Sequence, residues 1–466
     1  MEYKPQHAAA PAVKPRLIIH GGAGNITPAS LSPDRYKEYR DSLLTIVSKT
    51  HTYMHTPCAR NDATHTDSSS STFPTALETA TFAVVLLEDN PLFNSAHGAV
   101  FTRDGLIELE ASVMVSRGHA KRAVGVMGLR RVRNPILLAR RILEHGDVDL
   151  APKTRCTSDD LNVPSAQGHS QLHGAAAERL AERYGLKMVK QSYFCTPRRW
   201  AEHVRGLERE REGNGPATWS AEEYLPQGTC GAVALDAEGV TCCATSTGGL
   251  TNKLTGRIGD TPTVGAGFWA EEWTEQGDPT GRVLRQSPGP SVVLSESLRG
   301  LVADCFPSPF VYAPVPNIRP SLVTTRSVAV SGTGNGDSFL RTAAARTVGS
   351  IARFSARSSA EAVTKVTGPS GELQRSAGDR WGRTGEGEGG IIGIESVVVR
   401  DDEGKVVETR SDILQDFNCG GMFRAWIDGQ GVAFARVWRN DSIIPDMYVG
   451  EAQPEDPRLW AGDKQR

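Results

Sequence analysis

Gly228-Thr229-Cys230-Gly231-Ala232-Val233-Ala234-Leu235-Asp236, the turn Ala237-Glu238-Gly239 and the return run from Val240 to Ser246-Thr247-Gly248-Gly249 decide how this 466-residue chain is read. Two apolar, β-prone runs flank a short turn, which predicts an antiparallel hairpin. Residues equidistant from such a turn face each other, with Cβ atoms about 5 Å apart. Thr229 and Thr247 lie 18 residues apart and centre on Glu238. Their hydroxyls are therefore expected together at one end of the hairpin if no bulge intervenes. Taken alone, this is a cross-strand Thr–Thr pair, common in sheets and without chemistry.

The neighbouring sequence changes that reading. Gly256-Arg257-Ile258-Gly259-Asp260-Thr261-Pro262 follows the return strand. An arginine can clamp a carboxylate through two parallel hydrogen bonds, and an aspartate can hold an ammonium. Arg257 and Asp260 together would recognise the two charged ends of an amino acid, although a surface ion pair is the commoner fate of such residues. Ser331-Gly332-Thr333-Gly334-Asn335-Gly336-Asp337 is a glycine-rich turn after a strand-like run. Such a turn can present N–H groups and a hydroxyl to a developing oxyanion. It lacks the Gly-Lys-Ser/Thr ending of a phosphate loop.

Outward from the hairpin the chain divides near residue 228. The N-terminal half reads as helix-rich. Arg16–His20 is a short buried strand halted by Gly21-Gly22-Ala23-Gly24. Thr75 and Glu78 form a capping-box pattern ahead of Ala76, Leu77, Ala80, Ala83, Val84 and Leu87 on one helical face. Gly98–Thr102 and Ile107–Leu109 read as paired strands around Arg103-Asp104-Gly105. Asn134-Pro135 starts a helix expected to stop at Gly146, and 175–184 reads as another. The C-terminal half reads as strand-rich, through 327–331, 391–400 and 432–438. Residues 1–15 are expected to be an unstructured lead, 51–72 a polar insertion and 203–227 an exposed linker. The stretches 271–325 and 354–388 read as long irregular insertions.

Composition narrows the class. The net charge of −2 gives no argument for nucleic acid or an anionic membrane as partner. No run approaches the roughly 18 apolar residues of a spanning helix. No apolar run precedes Leu17, so no signal sequence is expected, and eight cysteines without a CxxC pair do not make a disulfide scaffold. Adjacent Cys242 and Cys243 read as core residues. The expectation is a reduced, cytoplasmic protein.

The motifs quoted above, in that order and spacing, resemble the isoaspartyl peptidase/L-asparaginases (plant-type), a family of N-terminal-nucleophile (Ntn) hydrolases. Ile19–Gly24, Leu87-Glu88-Asp89 through Phe93-Asn94, Gly98–Thr102, Phe417-Asn418 and Met422–Trp426 extend the match. The resemblance implies an α+β fold, a four-layer αββα sandwich in one catalytic domain with loop insertions. It implies a precursor that cuts itself between Gly228 and Thr229, giving an α-subunit half at 16–228 and a β-subunit half at 229–466, assembled as a dimer of αβ units.

By the same resemblance Thr229 is the nucleophile, Thr247 assists its activation and Asn94 helps position it. Thr333 and Gly334 form the oxyanion hole. Arg257 and Asp260 bind the substrate's α-carboxylate and α-ammonium, and Gly336 also contacts it. No cofactor is implied beyond a structural sodium ion on backbone carbonyls of the loop Leu87, Glu88 and Phe93. The implied reaction is hydrolysis of the β-amide of L-asparagine or of β-aspartyl dipeptides, releasing L-aspartate. Its partner is a small-molecule substrate.

The chemistry accounts for the cut. A threonine hydroxyl needs a base. Once the chain begins at Thr229, its α-amine titrates near 7.7–8.0 and can take the hydroxyl's proton. Before the cut that nitrogen is an amide and has no basicity.

Three departures from the family pattern stand out: Ser95-Ala96-His97 where Ala-Gly-x is common, Glu110 where Asp is usual, and Asn335 and Asp337 where His and Glu often flank the glycine. His97 is expected to be structural. Competing readings are a glycosylasparaginase, a taspase-like endopeptidase and an unprocessed scaffold. Gly228 argues against the first, and the intact Thr229, Thr247, Arg257, Asp260 and Thr333 set against the last.

Overall fold

Strand β1 (Arg16–Gly24) runs up the middle of a sheet that the chain builds from both of its halves. The structure is a computed structural model that describes residues 11–57, 73–151, 165–225, 228–277, 322–355 and 357–439. β1 pairs antiparallel with β5 (Cys230–Leu235) on one side and β11 (Gly421–Ile427) on the other. β5 turns into β6 (Thr241–Thr247), which pairs with β2 (Leu109–Val115), and β2 with β3 (Ala123–Leu129). With β4 (Gln171–His173) and β12 (Ala433–Arg436) at the edges, the order is β12-β11-β1-β5-β6-β2-β3-β4. A second sheet has the order β10-β9-β8-β7, from β7 (Phe268–Gln276), β8 (Val323–Gly334), β9 (Gly389–Arg400) and β10 (Val406–Phe417).

The fold class is α+β. The central strands β5, β6 and β2 are buried at every position because both of their faces are covered. Leu17, Ile19, Ala232, Ala234, Cys242 and Ala244 point toward α1 (Pro33–Met54), α2 (Ala76–Glu88) and α3 (Pro135–Asp149), and join Tyr39, Leu43, Ala80, Val84 and Ile142 in one core. Ile18, Val233, Leu235 and Cys243 alternate to the other face. There they meet Phe268, Ala270, Ala329, Ile392 and Ile394 of the second sheet. Cys242 and Cys243 thus enter opposite cores as free, buried thiols.

Beyond the second sheet, helices follow β8. A methyl group on Gly349 of the helix Ala344–Phe354 would touch Trp269 and Glu271 of β7, and Phe339 of the helix Gly336–Thr342 lies against Gly332 and Gly389.

By compactness the chain sorts into two units. The larger comprises Val13–Glu272, Ser327–Ser396 and Ser411–Arg466, and the smaller Met1–Ala12, Trp273–Arg326 and Val397–Arg410. Within the smaller, Leu322, Val397 and Val399 cluster, and the Arg326 guanidinium lies 5.0 Å from the Trp273 ring centre. Every site residue discussed below belongs to the larger unit.

Local signals that depend on nearby residues read correctly. The capping box at Thr75 and Glu78 is complete, and the six apolar residues expected on one face of α2 are all buried. The 175–184 expectation matches α4 (Gly174–Arg183).

Several expectations need correction. α3 does not stop at Gly146 but continues to Asp149. That glycine lets the helix approach Lys121, whose Cγ would sit 2.5 Å from an added Cβ. Gly98–Thr102 forms no strand ladder. Thr102 instead closes a tight loop by donating its N–H to Leu106 O (2.7 Å) and bridges to Lys253. The exposed linker expected at 203–227 begins inside a helix: α6 (Pro197–Arg211), after the short α5 (Gln191–Phe194), runs through 203–211 and buries His203 and Gly206, along with Arg199 and Glu202 before them. Just ahead of that stretch α6 also buries an ion pair, Arg199 Nη1 with Glu202 at 2.8 Å.

Residues 51–54 belong to α1. The irregular reading of 354–388 fails, since Ser359–Thr367 is a capped helix and Glu372–Arg375 another turn of helix. Both ends of 271–325 are strand. Residues 1–10, 58–72 and 278–321 lie outside the described residues.

Candidate active site

The hairpin forms in the expected register. Leu235 pairs with Thr241 and Cys230 with Ser246, without a bulge. One further step sets Thr229 opposite Thr247. Both are buried, at 2% exposure.

The hydroxyls nevertheless have different partners. Thr247 Oγ1 accepts the Gly249 N–H (2.9 Å). Thr229 Oγ1 lies 3.0 Å from Thr261 Oγ1. Thr261 is the residue that reading the sequence missed as a partner. It stands beside Asp260 in the quoted motif, but only the fold of that loop back over the hairpin brings its hydroxyl to Thr229.

The peptide unit around Thr229 is held at each polar atom. Its N–H donates to Thr333 Oγ1 (2.9 Å). Its carbonyl accepts from His20 Nδ1 (2.9 Å). The preceding carbonyl, of Gly228, accepts from Asn94 Nδ2 (3.2 Å), which also donates to Gly249 O (2.7 Å). Asn94 Oδ1 accepts from Val100 N–H (3.1 Å), which orients the amide. Asn94 therefore grips the carbonyl before Thr229 and not the Thr229 side chain. Only glycine fits at 228, because a Cβ there would lie 2.5 Å from Ala23 N and 2.6 Å from Gly22 Cα.

His20 shows how a fully buried site settles its protons. A carbonyl can only accept, so Nδ1 carries the hydrogen. Burial lowers the His20 pKa to about 3, opposed by the bond to Thr229, so the ring is neutral and Nε2 is bare. Nε2 must then accept from Ser331 Oγ (2.7 Å), and Ser331 in turn accepts from Thr245 Oγ1 (3.1 Å). No motif pointed to this chain of hydroxyls.

The loop that carries Arg257 and Asp260 is anchored by two acids. Glu108 Oε2 accepts from Gly256 N–H (2.7 Å), and Glu110 Oε1 accepts from Gly259 N–H (3.0 Å). Buried Lys253 donates to Glu108 O (2.9 Å), and burial lowers its pKa, against the pull of Glu110 and Glu108. Glu110, a departure by one methylene, thus reaches the backbone of the loop it supports.

Arg257 and Asp260 arrive on this loop with capacity to spare. Asp260 is 4% exposed, and burial pushes its carboxyl up to about 7 while Arg257 pulls it down. Asp260 Oδ2, Arg257 Nε and Glu110 Oε2 have no hydrogen-bond partner among the described residues. Arg257 Nη2 also meets half-exposed Asp337 at 3.1 Å. Gly336 lies between them: an added Cβ would fall 2.5 Å from Asp260 Oδ1 and 2.8 Å from Arg257 Nη2. Gly334 (φ 140°) precedes it at the end of β8.

The other departures have local explanations. Ala96 has φ 39°, in the left-handed region that suits glycine, so the substitution carries backbone strain. Ser95 Oγ bonds Ser246 Oγ (2.7 Å), which donates to Glu88 Oε1 (2.7 Å). Burial raises the Glu88 carboxyl to about 8. Asn335 caps its helix by accepting from Ser338 N–H (3.1 Å). His97 Nδ1 donates to Tyr193 O (2.6 Å), a structural role as expected.

Among the described residues no His, Cys, Asp and Glu side chains group to hold a metal ion, and no helix is long and apolar enough to cross a membrane.

Comparison with known proteins adds a family. A model described as Asparaginase matches residues 13–150 and 162–281, more than half of the chain. An isoaspartyl peptidase of Escherichia coli is 31% identical over 413 residues, covering 88% of this chain and 92% of that protein. A putative isoaspartyl peptidase/L-asparaginase of Dictyostelium discoideum is 26% identical over 439 residues, with the same coverage. An isoaspartyl peptidase/L-asparaginase of Macaca fascicularis is 39% identical over 197 residues, 42% of this chain and 54% of its own.

Proposed function

The chain belongs to the asparaginase family, and on that premise we propose that it is a self-cleaving threonine hydrolase of L-asparagine and β-aspartyl peptides that releases L-aspartate. One observation carries the reading. A buried threonine whose flanking carbonyl and N–H are gripped by Asn94 and Thr333 adjoins a loop where an arginine and an aspartate keep unpartnered polar atoms. That is the arrangement expected of a nucleophile beside a binding place for an amino acid's charged ends.

In this mechanism Thr229 Oγ1 attacks the Gly228 carbonyl carbon. The C–N bond breaks, the nitrogen leaves as an amine and the resulting ester is hydrolysed by water. Asn94 Nδ2 already donates to the oxygen on which negative charge would develop. The freed α-amine then serves as base to its own hydroxyl, with Thr333 Oγ1 beside the nitrogen and Thr247 assisting. Thr333 and Gly334 would donate to the oxyanion of the external substrate. Arg257 would take its α-carboxylate and Asp260 its α-ammonium, while Gly336 leaves them room. An ordinary α-peptide, whose α-carboxylate is consumed in a bond, lacks the group Arg257 requires.

The same reading includes the four-layer αββα arrangement. It is supported by helices on one face of the large sheet, the shared core between the sheets, and the helices after β8 against β7–β9. A structural sodium ion would sit on the loop carbonyls of Leu87, Glu88 and Phe93. The Glu88 carbonyl accepts one hydrogen bond, from His97 N–H, and keeps a second lone pair, while Arg199 holds the neighbouring carbonyls of Leu92 and Gly98. The ion would stiffen the loop that carries Asn94. A dimer of αβ units in the cytoplasm completes the proposal.

Denaturing electrophoresis and N-terminal sequencing test it. Two fragments are expected, the second beginning Thr-Cys-Gly-Ala, and Thr229→Ala should leave a single inactive chain. Activity surviving in that variant would refute the mechanism.

A further inference from the structure

Resting on Thr229 as the nucleophile, we infer that Thr261 is the positioning residue that aims the Thr229 hydroxyl in the uncut chain. Three hydrogen bonds fix the backbone here, to Thr333, His20 and Asn94. None of them sets rotation about the Thr229 Cα–Cβ bond, which has three staggered wells. Among the described residues the single hydrogen-bond partner of Thr229 Oγ1 is Thr261 Oγ1, at 3.0 Å. The cross-strand candidate, Thr247, has its oxygen on Gly249 N–H.

Thr261 is a rigid post. It is wholly buried. The carbonyl of Asp260 before it accepts from Thr263 N–H (3.0 Å) and Gly267 N–H (3.2 Å), and Glu110 pins Gly259. A hydroxyl so placed matters most before the cut. In the mature protein a free amine can orient and deprotonate the nucleophile, but in the precursor that nitrogen is a non-basic amide. When Thr229 is the donor of the hydrogen shared with Thr261, its Oγ1 keeps its lone pairs for the Gly228 carbonyl carbon. In the step itself the O–C bond forms, the C–N bond breaks and the hydroxyl proton ends on the departing nitrogen. Thr261 is unchanged throughout.

Two substitutions separate aiming from packing. Thr261→Val keeps volume and branching but removes the hydroxyl, and Thr261→Ser restores it. Purified full-length precursor would be followed by intact mass for the fragment beginning at Thr229, with thermal melting to confirm folding. Cleavage about ten- to hundredfold slower is expected in the valine variant, as for a reacting group that has lost alignment, and near the parent rate in the serine variant. Thr261→Ala, which adds no buried methyl beside Thr229, should be as slow as valine. Maturation of the valine or alanine variant at the parent rate would overturn the inference. So would a serine variant as slow as valine, which would assign Thr261 to packing. Cleavage persisting in Thr229→Ala would instead remove the nucleophile reading on which the inference stands.

Discussion

The hairpin end at Thr229 and the loop carrying Arg257 and Asp260 are neighbours built on opposite principles. Around Thr229 the backbone polar atoms and the hydroxyl all have partners. A few residues on, Asp260 Oδ2, Arg257 Nε and Glu110 Oε2 are buried without any among the described residues. An unpaired buried polar atom costs about 1–3 kcal/mol, and three of them gathered around one loop are a cost that a bound polar group would offset. On the proposed function, the contrast separates a region complete within the chain from one that a substrate's charged ends would complete.

Gly228→Ala tests the complete side and should have the largest effect. Its Cβ would collide with the backbone of Gly22 and Ala23, so the scissile carbonyl would leave Asn94. Mass spectrometry should detect no cut chain. If the variant matures normally, the fit at Gly228 is looser than the geometry states.

Arg257→Ala tests the incomplete side. Losing a charge-assisted clamp on a carboxylate should lower kcat/KM for asparagine by about a hundredfold or more, in line with roughly 2–5 kcal/mol for such pairs. Self-cleavage, which involves no external carboxylate, should persist. Loss of both would make Arg257 part of the fold's support.

Asp260 sharpens the comparison through pH. Ammonium binding needs the carboxylate, and the free protein holds this group's pKa near 7. The proposed base, the Thr229 amine near 7.7–8.0, already makes kcat/KM for asparagine fall about tenfold per unit below that range. Asp260 should add a second tenfold per unit below about 7, and Asp260→Asn, poor at every pH, should keep only the first. Stability runs the other way. A folded-state pKa raised above the unfolded value gives a contribution present in full below about 3.8 and lost as pH rises through about 7. Asp260→Asn should accordingly gain most in Tm, relative to the parent, at pH 8 and little at pH 4. An equal change at both would contradict the buried-charge assignment.

Asp337→Asn should have the smallest effect. The ion pair with Arg257 has a side chain 54% exposed on the acid, and such pairs contribute about 0–1 kcal/mol. A change in KM of no more than about fivefold is expected. A larger loss would mean that Asp337 holds the clamp in its binding geometry.

What could be read from the residues alone follows the same division. The hairpin register is local: the turn at Ala237-Glu238-Gly239 and period-two alternation settle which threonines face each other. The capping box before α2 is local too. Gly146 misled because a glycine that admits Lys121 and a glycine that ends a helix are the same letter. The stretch 203–227 misled because its charged, glycine-containing start belongs to α6, where His203 and Gly206 are buried in space. Arg257, Asp260 and Thr333 could be named from their motifs. The hydroxyl contact from Thr261 and the His20–Ser331–Thr245 chain could not, since each joins residues far apart in sequence that only the packed loops and sheets bring together.

The order of the large sheet has one more consequence. β12 and β11 follow the Gly228–Thr229 bond in the chain, β1 precedes it, β5 and β6 follow it, and β2, β3 and β4 precede it. Strands from either side of the bond are interleaved. A molecule cut there would therefore stay whole while folded, laced by its ladders. Once unfolded it would be two polypeptides that must find each other again, so refolding would become second order and concentration-dependent. An uncut chain would refold by a first-order step, whereas a cut form would persist through the slowness of its unfolding. Cutting would turn an equilibrium structure into a kinetically held one.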